Sequence, residues 1–111
     1  MADIRKMYLK DVLPLLMNKV LRKGRSKEEF YTVILWFLDI SKENLEELSS
    51  LTYEEFFSKV KISDSKLSKI KGKICGIRVE DIEDDVIHKA RALDKIVDDL
   101  AKGKSITKII G

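Results

Sequence analysis

At 111 residues the chain has the length of one domain, large enough to bury a core without disulfide or metal support. Its 44% hydrophobic and 37% charged composition excludes a disordered class, and its longest apolar run, VILWFL at 33–38, is too short to cross a membrane. The net charge of +3 hides alternating blocks: +6 over residues 1–27, −7 over 28–57, +6 over 58–79, −5 over 80–100 and +3 over 101–111. Such blocks pair within a fold, pair between subunits or face a polyanion, and pairing is the simpler reading at so small a net charge. The opening MADIRKMYLKD lacks the apolar stretch of a secretory signal, and one cysteine cannot form an internal disulfide. A cytoplasmic location is expected.

Taken in order, the first predicted helix starts after Asp11 as N-cap, which puts Pro14 in the first turn, where its missing N–H costs nothing. Val12, Leu13, Leu16, Val20 and Leu21 give it an apolar face, and Gly24 stops it. Ser26 and Glu29 have the spacing of a capping box before a second helix through Leu38. Its Phe30, Val33, Ile34, Phe37 and Leu38 repeat at i, i+3, i+4, i+7 and i+8, so they are predicted core. Trp36 falls off that stripe and is a candidate interaction surface. Ser41 caps a short third helix with Leu45 and Leu48 inward, and Thr52 with Glu55 boxes a fourth that carries Phe56, Phe57 and Val60. The basic, serine-rich stretch 61–73 holds one or two helical turns around Leu67 and Ile70. ICGIRV, 74–79, has strand-like composition but no partner strand elsewhere. It reads as an extended connector whose Ile74, Cys75, Ile77 and Val79 close the core. EDIEDD, 80–85, reads as the acidic first turn of the last long helix, anchored by Ile82. In that helix Val86, Ala90, Leu93, Val97 and Leu100 step by four and three until Gly103, and SITKII adds a final docked turn. The fold class expected is all-α: one compact single-domain bundle of about five helices, residues 1–111, with an extended connector before the last long helix.

Several chemistries fall away on spacing. Gly103-Lys104-Ser105 resembles the tail of a phosphate-binding loop, but Asp98 stands where that motif needs glycine, and a helix end precedes it. Ser68 with Lys71 and Ser105 with Lys108 match Ser-x-x-Lys only because lysine is abundant. The densest group is Cys75, Arg78, Glu80, Asp81, Asp84 and His88, a candidate functional cluster for an enzyme or metal site. Asp84 and His88 are i, i+4 neighbours on a helix, with Asp85 beside them, yet no second histidine exists, and acids at a helix start complement its dipole. A lone cysteine between isoleucines behaves more often as a small buried hydrophobe than as a nucleophile. No cofactor and no metal are expected.

Polyanion binding has a candidate basic surface in Lys19, Arg22, Lys23 and Arg25 with Lys66, Lys69, Lys71 and Lys73. The segments 42–50 and 53–61 have helix-turn-helix length, but Glu54 and Glu55 would open the recognition helix and repel phosphates. No aromatic residues interleave with the lysines to stack on bases.

Three stretches, GKICGIRVEDIEDD (72–85), ALDKIVDDLAKGKSITKII (92–110) and NKVLRKGRSKEEFYTVILWFLDIS (18–41), together resemble a family of short, uncharacterised bacterial proteins classed as a domain of unknown function. The likeness covers most of the chain and implies a small, mainly helical fold. It brings no activity, cofactor or catalytic residue. Asp85 departs from it, standing where a proline is common, and His88 lies outside its motif. The expectation for function is a cytoplasmic, non-enzymatic protein-interaction module, with a protein partner or a second copy in a homodimer. The alternatives are weak, sequence-independent nucleic-acid or polyanion binding and an enzyme or metal site around Cys75–His88.

Overall fold

The computed structural model describes residues 3–74 and 76–110. Among the described residues are seven helices, α1 (Leu9–Leu21), α2 (Lys27–Leu38), α3 (Lys42–Leu48), α4 (Tyr53–Lys59), α5 (Asp64–Lys69), α6 (Asp85–Ala101) and α7 (Ile106–Ile110), with 3-10 turns at Ile4–Lys6 before α1 and at Val79–Asp81 before α6. A two-stranded hairpin of β1 (Lys73–Ile74) and β2 (Ile77–Arg78) completes the order. The fold is therefore mainly helical, as expected, with two short helices and a hairpin added.

Local capping chemistry starts most of these helices. Ser26 accepts the Glu29 N–H at 3.1 Å while the Glu29 carboxylate accepts the Ser26 N–H at 3.0 Å, and Thr52 with Glu55 repeats the box at α4. Ser41, Ser63 and Asp84 cap α3, α5 and α6 through their side-chain oxygens.

The start of α1 differs from the sequence expectation. It begins at Leu9, two residues before the predicted cap Asp11, with Tyr8 at the N-cap and no side-chain cap. Backbone from elsewhere does the capping. The Leu9 N–H donates to the Leu51 carbonyl at 3.1 Å and the Lys10 N–H to the Ser49 carbonyl at 2.8 Å, while Tyr8 bridges Thr52. Pro14 consequently lies inside α1, not in its first turn, and leaves the Lys10 carbonyl without the N–H that would complete the helical bond.

The buried apolar residues form one cluster, with α6 at its centre and α1, α2, α4 and α7 packed around it. All five predicted core residues of α2 are fully buried, as are Ala90, Leu93, Val97 and Leu100 of α6. Ala92 and Ile96 join them, because neighbours on several sides widen the stripe beyond one face. Ion pairs hold the polar edge of α6: Lys95 with Asp99 at 2.6 Å, and Asp98 with both Lys102 at 2.9 Å and Lys19 of α1 at 3.0 Å.

ICGIRV is not an extended connector. It folds back on itself, pairing Lys73 with Arg78 and Ile74 with Ile77, and Gly76 at φ +79° supplies the turn conformation that L-residues avoid. The missing partner strand was inside the same stretch. Ile74 and Val79 are buried as expected, but Ile77 is 49% exposed. The 3-10 turn that begins at Val79 breaks the alternation that would have placed Ile77 and Val79 on one side. Cys75 lies outside the described residues. EDIEDD is likewise divided: Glu80 and Asp81 belong to the 3-10 turn, Asp84 is the N-cap, and only Asp85 sits in the first turn of α6.

Candidate functional site

The acidic stretch is only partly gathered. Glu80, Asp85 and His88 line a shallow depression of about 400 Å³ together with Asp64, Leu67, Ser68 and Lys71. Arg78, Asp81 and Asp84 do not line it, and Cys75 is outside the described residues. Most of these carboxylates have structural partners already. Glu80 accepts the Gly72 N–H at 3.0 Å, Asp84 accepts the Ile87 N–H at 3.0 Å and pairs with Arg5 at 3.4 Å, and Asp85 holds the buried Lys89 at 2.9 Å. The Nε2 of His88 is buried with no hydrogen-bond partner among the described residues. Among those residues no three His, Cys, Asp or Glu side chains are grouped to hold a metal ion. Arg78 is exposed on β2, directly across from Lys73, so like charges face each other there.

The predicted basic surface divides in the same way. Lys19 is engaged by Asp98, and Arg25 pairs with Glu29 at 3.0 Å and donates to the Lys104 carbonyl at 3.2 Å. Arg22, Lys23, Lys69, Lys71 and Lys73 are exposed and form no ion pair among the described residues. Trp36 is half-buried, packed against the core, with the Lys66 ammonium 5.0 Å from its ring centre and hydrogen-bonded to its carbonyl. Its off-stripe position is explained inside the chain, by contact with α5.

A second place was not foreseen from the sequence. Exposed large apolar residues concentrate in Met7, Tyr8, Leu15 and Leu21, on α1 and the two residues before it, and Leu15 is the most open at 64%. Where α1 packs beside α6, Ile4, Met7, Val12, Leu15 and Leu16 form the apolar wall of a depression of about 260 Å³ whose polar members are Tyr53, Arg91 and Asp94. Leu15 also borders the next depression along α1, about 380 Å³, shared with Lys19, Arg22 and Lys23. The two share Leu15 as a wall and together make a groove along α1, apolar at its N-terminal end and cationic at the other.

The electrostatics of the apolar end are unusual for this chain. Burial pushes the Asp94 carboxyl above the usual aspartate range, against the opposing pull of Arg91 at 3.3 Å and of Lys19. Burial likewise drives the Tyr53 hydroxyl well above its ordinary value. Asp98, one turn further along α6, goes the other way: the burial that would raise it is outweighed by hydrogen bonds from Lys102 and Lys19, and its carboxyl lies below the usual range. An apolar depression with a few convergent polar groups is the place where a candidate site is sought. One sequence signal pointed to it, the Leu15-Leu16 pair, in which a single helix face cannot bury both side chains.

No functionally curated protein matches the chain. The crystal structure of uncharacterized protein SP1917 is similar to it, with a TM-score of 0.86 at 33% identity, covering 99% of this chain and 93% of that one. The model of a family described as uncharacterized protein conserved in bacteria (DUF2200) matches residues 3–111. Neither description names an activity. Because that family model spans nearly the whole chain, on a helical fold that this neighbour shares, the chain belongs to the DUF2200 family.

Proposed function

We propose that this protein is a non-enzymatic interaction module whose α1–α6 groove seats a partner segment made of an apolar residue followed by carboxylates. One observation carries the reading: Leu15, 64% exposed, joins an apolar depression to a row of cationic side chains on the same helix. Charge complementarity selects the partner, since Arg22 and Lys23 are exposed beside Leu15 and have no ion-pair partner among the described residues. The apolar end supplies a place for an anchoring side chain, the kind of contact that dominates interface energetics.

The test is an amide NMR titration with short synthetic peptides that differ only in charge, one apolar–acidic and one apolar–basic. The apolar–acidic peptide is expected to shift Met7, Leu15, Arg22 and Lys23, and the basic one to leave them in place. Equal effects from both peptides, or none at millimolar concentration, would overturn the proposal. Self-association is a distinct outcome, because this chain's own VEDIEDD stretch has the same character. A dimer whose formation shifts the groove amides would make a second copy the occupant and overturn the separate partner.

A second reading rests on Lys69, Lys71 and Lys73, which are exposed around the hairpin with no ion pairs among the described residues. They support weak polyanion binding, which the loss of Lys19 and Arg25 to internal partners reduces. That reading requires affinity for heparin or duplex DNA that collapses with added salt.

A further inference from the structure

The groove has a direction, and Asp94 sets it; the inference that follows rests on the partner reading above. Asp94 projects from α6 beside the apolar depression, where its Oδ2 meets Arg91 at a long 3.3 Å. Its Oδ1 receives no donor among the described residues. A carboxylate has room for about four donated hydrogen bonds, and here the side chain stays 20% exposed with Arg91 as its ion-pair partner, while the Lys19 ammonium is held by Asp98 at 3.0 Å. A cationic donor is therefore the occupant's group that its charge favours at this point.

We propose that Asp94 receives the free α-ammonium of a partner's N-terminus, with that partner's first apolar side chain against Met7 and Leu15 and its carboxylates at Arg22 and Lys23. A chain terminus fits better than a lysine side chain. An α-ammonium sits one bond from the same Cα that carries the anchor, so both groups reach the depression from one residue, whereas a lysine ammonium lies four carbons away from its Cα. The spacing is consistent with an extended segment. Leu15 and Arg22 are separated by roughly 10 Å along α1 at about 1.5 Å per residue. An extended chain covers that distance in roughly three residues at about 3.3 Å each. The segment recognised then has an apolar first residue and carboxylates at its fourth and fifth positions.

The experiment compares the peptide Leu-Gly-Ser-Glu-Glu with a free N-terminus and the same peptide N-acetylated, each titrated calorimetrically into the full chain and into Asp94→Asn. Acetylation is expected to weaken binding to the unmodified protein at least tenfold. Asp94→Asn is expected to bind the free peptide as weakly as the unmodified protein binds the acetylated one, with no further loss on acetylation. Equal affinity of the two peptides for the unmodified protein overturns the ammonium assignment, a result that needs no variant to fold. If both bind equally and both are weakened by Arg22→Glu, the groove reading stands while this one fails. If neither binds, both fail.

Discussion

Two aspartates on the same α6 surface, Asp98 and Asp94, are shifted in opposite directions by their surroundings. Asp98 is held below the ordinary aspartate range, so its contribution to stability is present above the unfolded value and is lost as pH falls through its folded one. Asp98→Asn is expected to cost about 1 kcal/mol at pH 7 in urea denaturation, from the lost charged hydrogen bonds, with the difference shrinking below about pH 4. A gap that stays constant from pH 7 down to pH 2 would mean the ion pairs with Lys19 and Lys102 carry no stability. Asp94 has the opposite sign. Its raised carboxyl makes the folded state easier to protonate, so ionisation at neutral pH works against folding. Asp94→Asn is therefore expected to leave stability within about 0.5 kcal/mol, the behaviour of a group kept for contact and not for folding. Gly72 is a position of pure geometry: its φ is +117°, and an added Cβ would lie 2.8 Å from the Lys95 Cε. Gly72→Ala is expected to destabilise by about 1 kcal/mol or more, read from the thermal midpoint.

At the scale of elements, what was legible in the sequence was what is local. The boxes at Ser26–Glu29 and Thr52–Glu55 and the core stripe of α2 depend on residues three or four apart, and each appears as read. The start of α1 does not depend on neighbours. It is fixed by carbonyls of Ser49 and Leu51, some forty residues away, and no local pattern reports them. The error over Pro14 followed directly, since an earlier start moves the same proline from the tolerated first turn to the interior. Pro14→Ala is accordingly expected to raise stability by about 1 kcal/mol or more, because it restores a helical N–H for the Lys10 carbonyl. Unchanged or lowered stability would show that α1 relaxes around the proline at no cost. The hairpin escaped for a related reason. Two-residue strands are below the length at which alternation can be read, and only Gly76 marked the turn.

For the whole molecule, the charge blocks have a simple resolution. Lys19 with Asp98 and Arg5 with Asp84 join basic residues of the first block to acidic ones of the fourth, so part of the alternation is used in packing α1 and its lead-in against α6. The candidate site was legible only in fragments: Lys19, Arg22 and Lys23 were read as part of a basic surface, and Leu15 was not singled out. That they share a groove with Arg91 and Asp94 depends on which helix lies beside α1, a tertiary fact that periodicity does not carry. Of the suspected cluster at 74–88, Glu80 and His88 line one depression while Arg78, Asp81 and Asp84 do not, because a hairpin, a 3-10 turn and a helix start divide the stretch. The most direct measurement of the central claim is the affinity of the apolar–acidic peptide for Leu15→Glu, a substitution at a mostly exposed site. Leu15 alone borders both halves of the groove. The account predicts at least a tenfold weaker Kd with an unchanged thermal midpoint, and an unchanged Kd would contradict it.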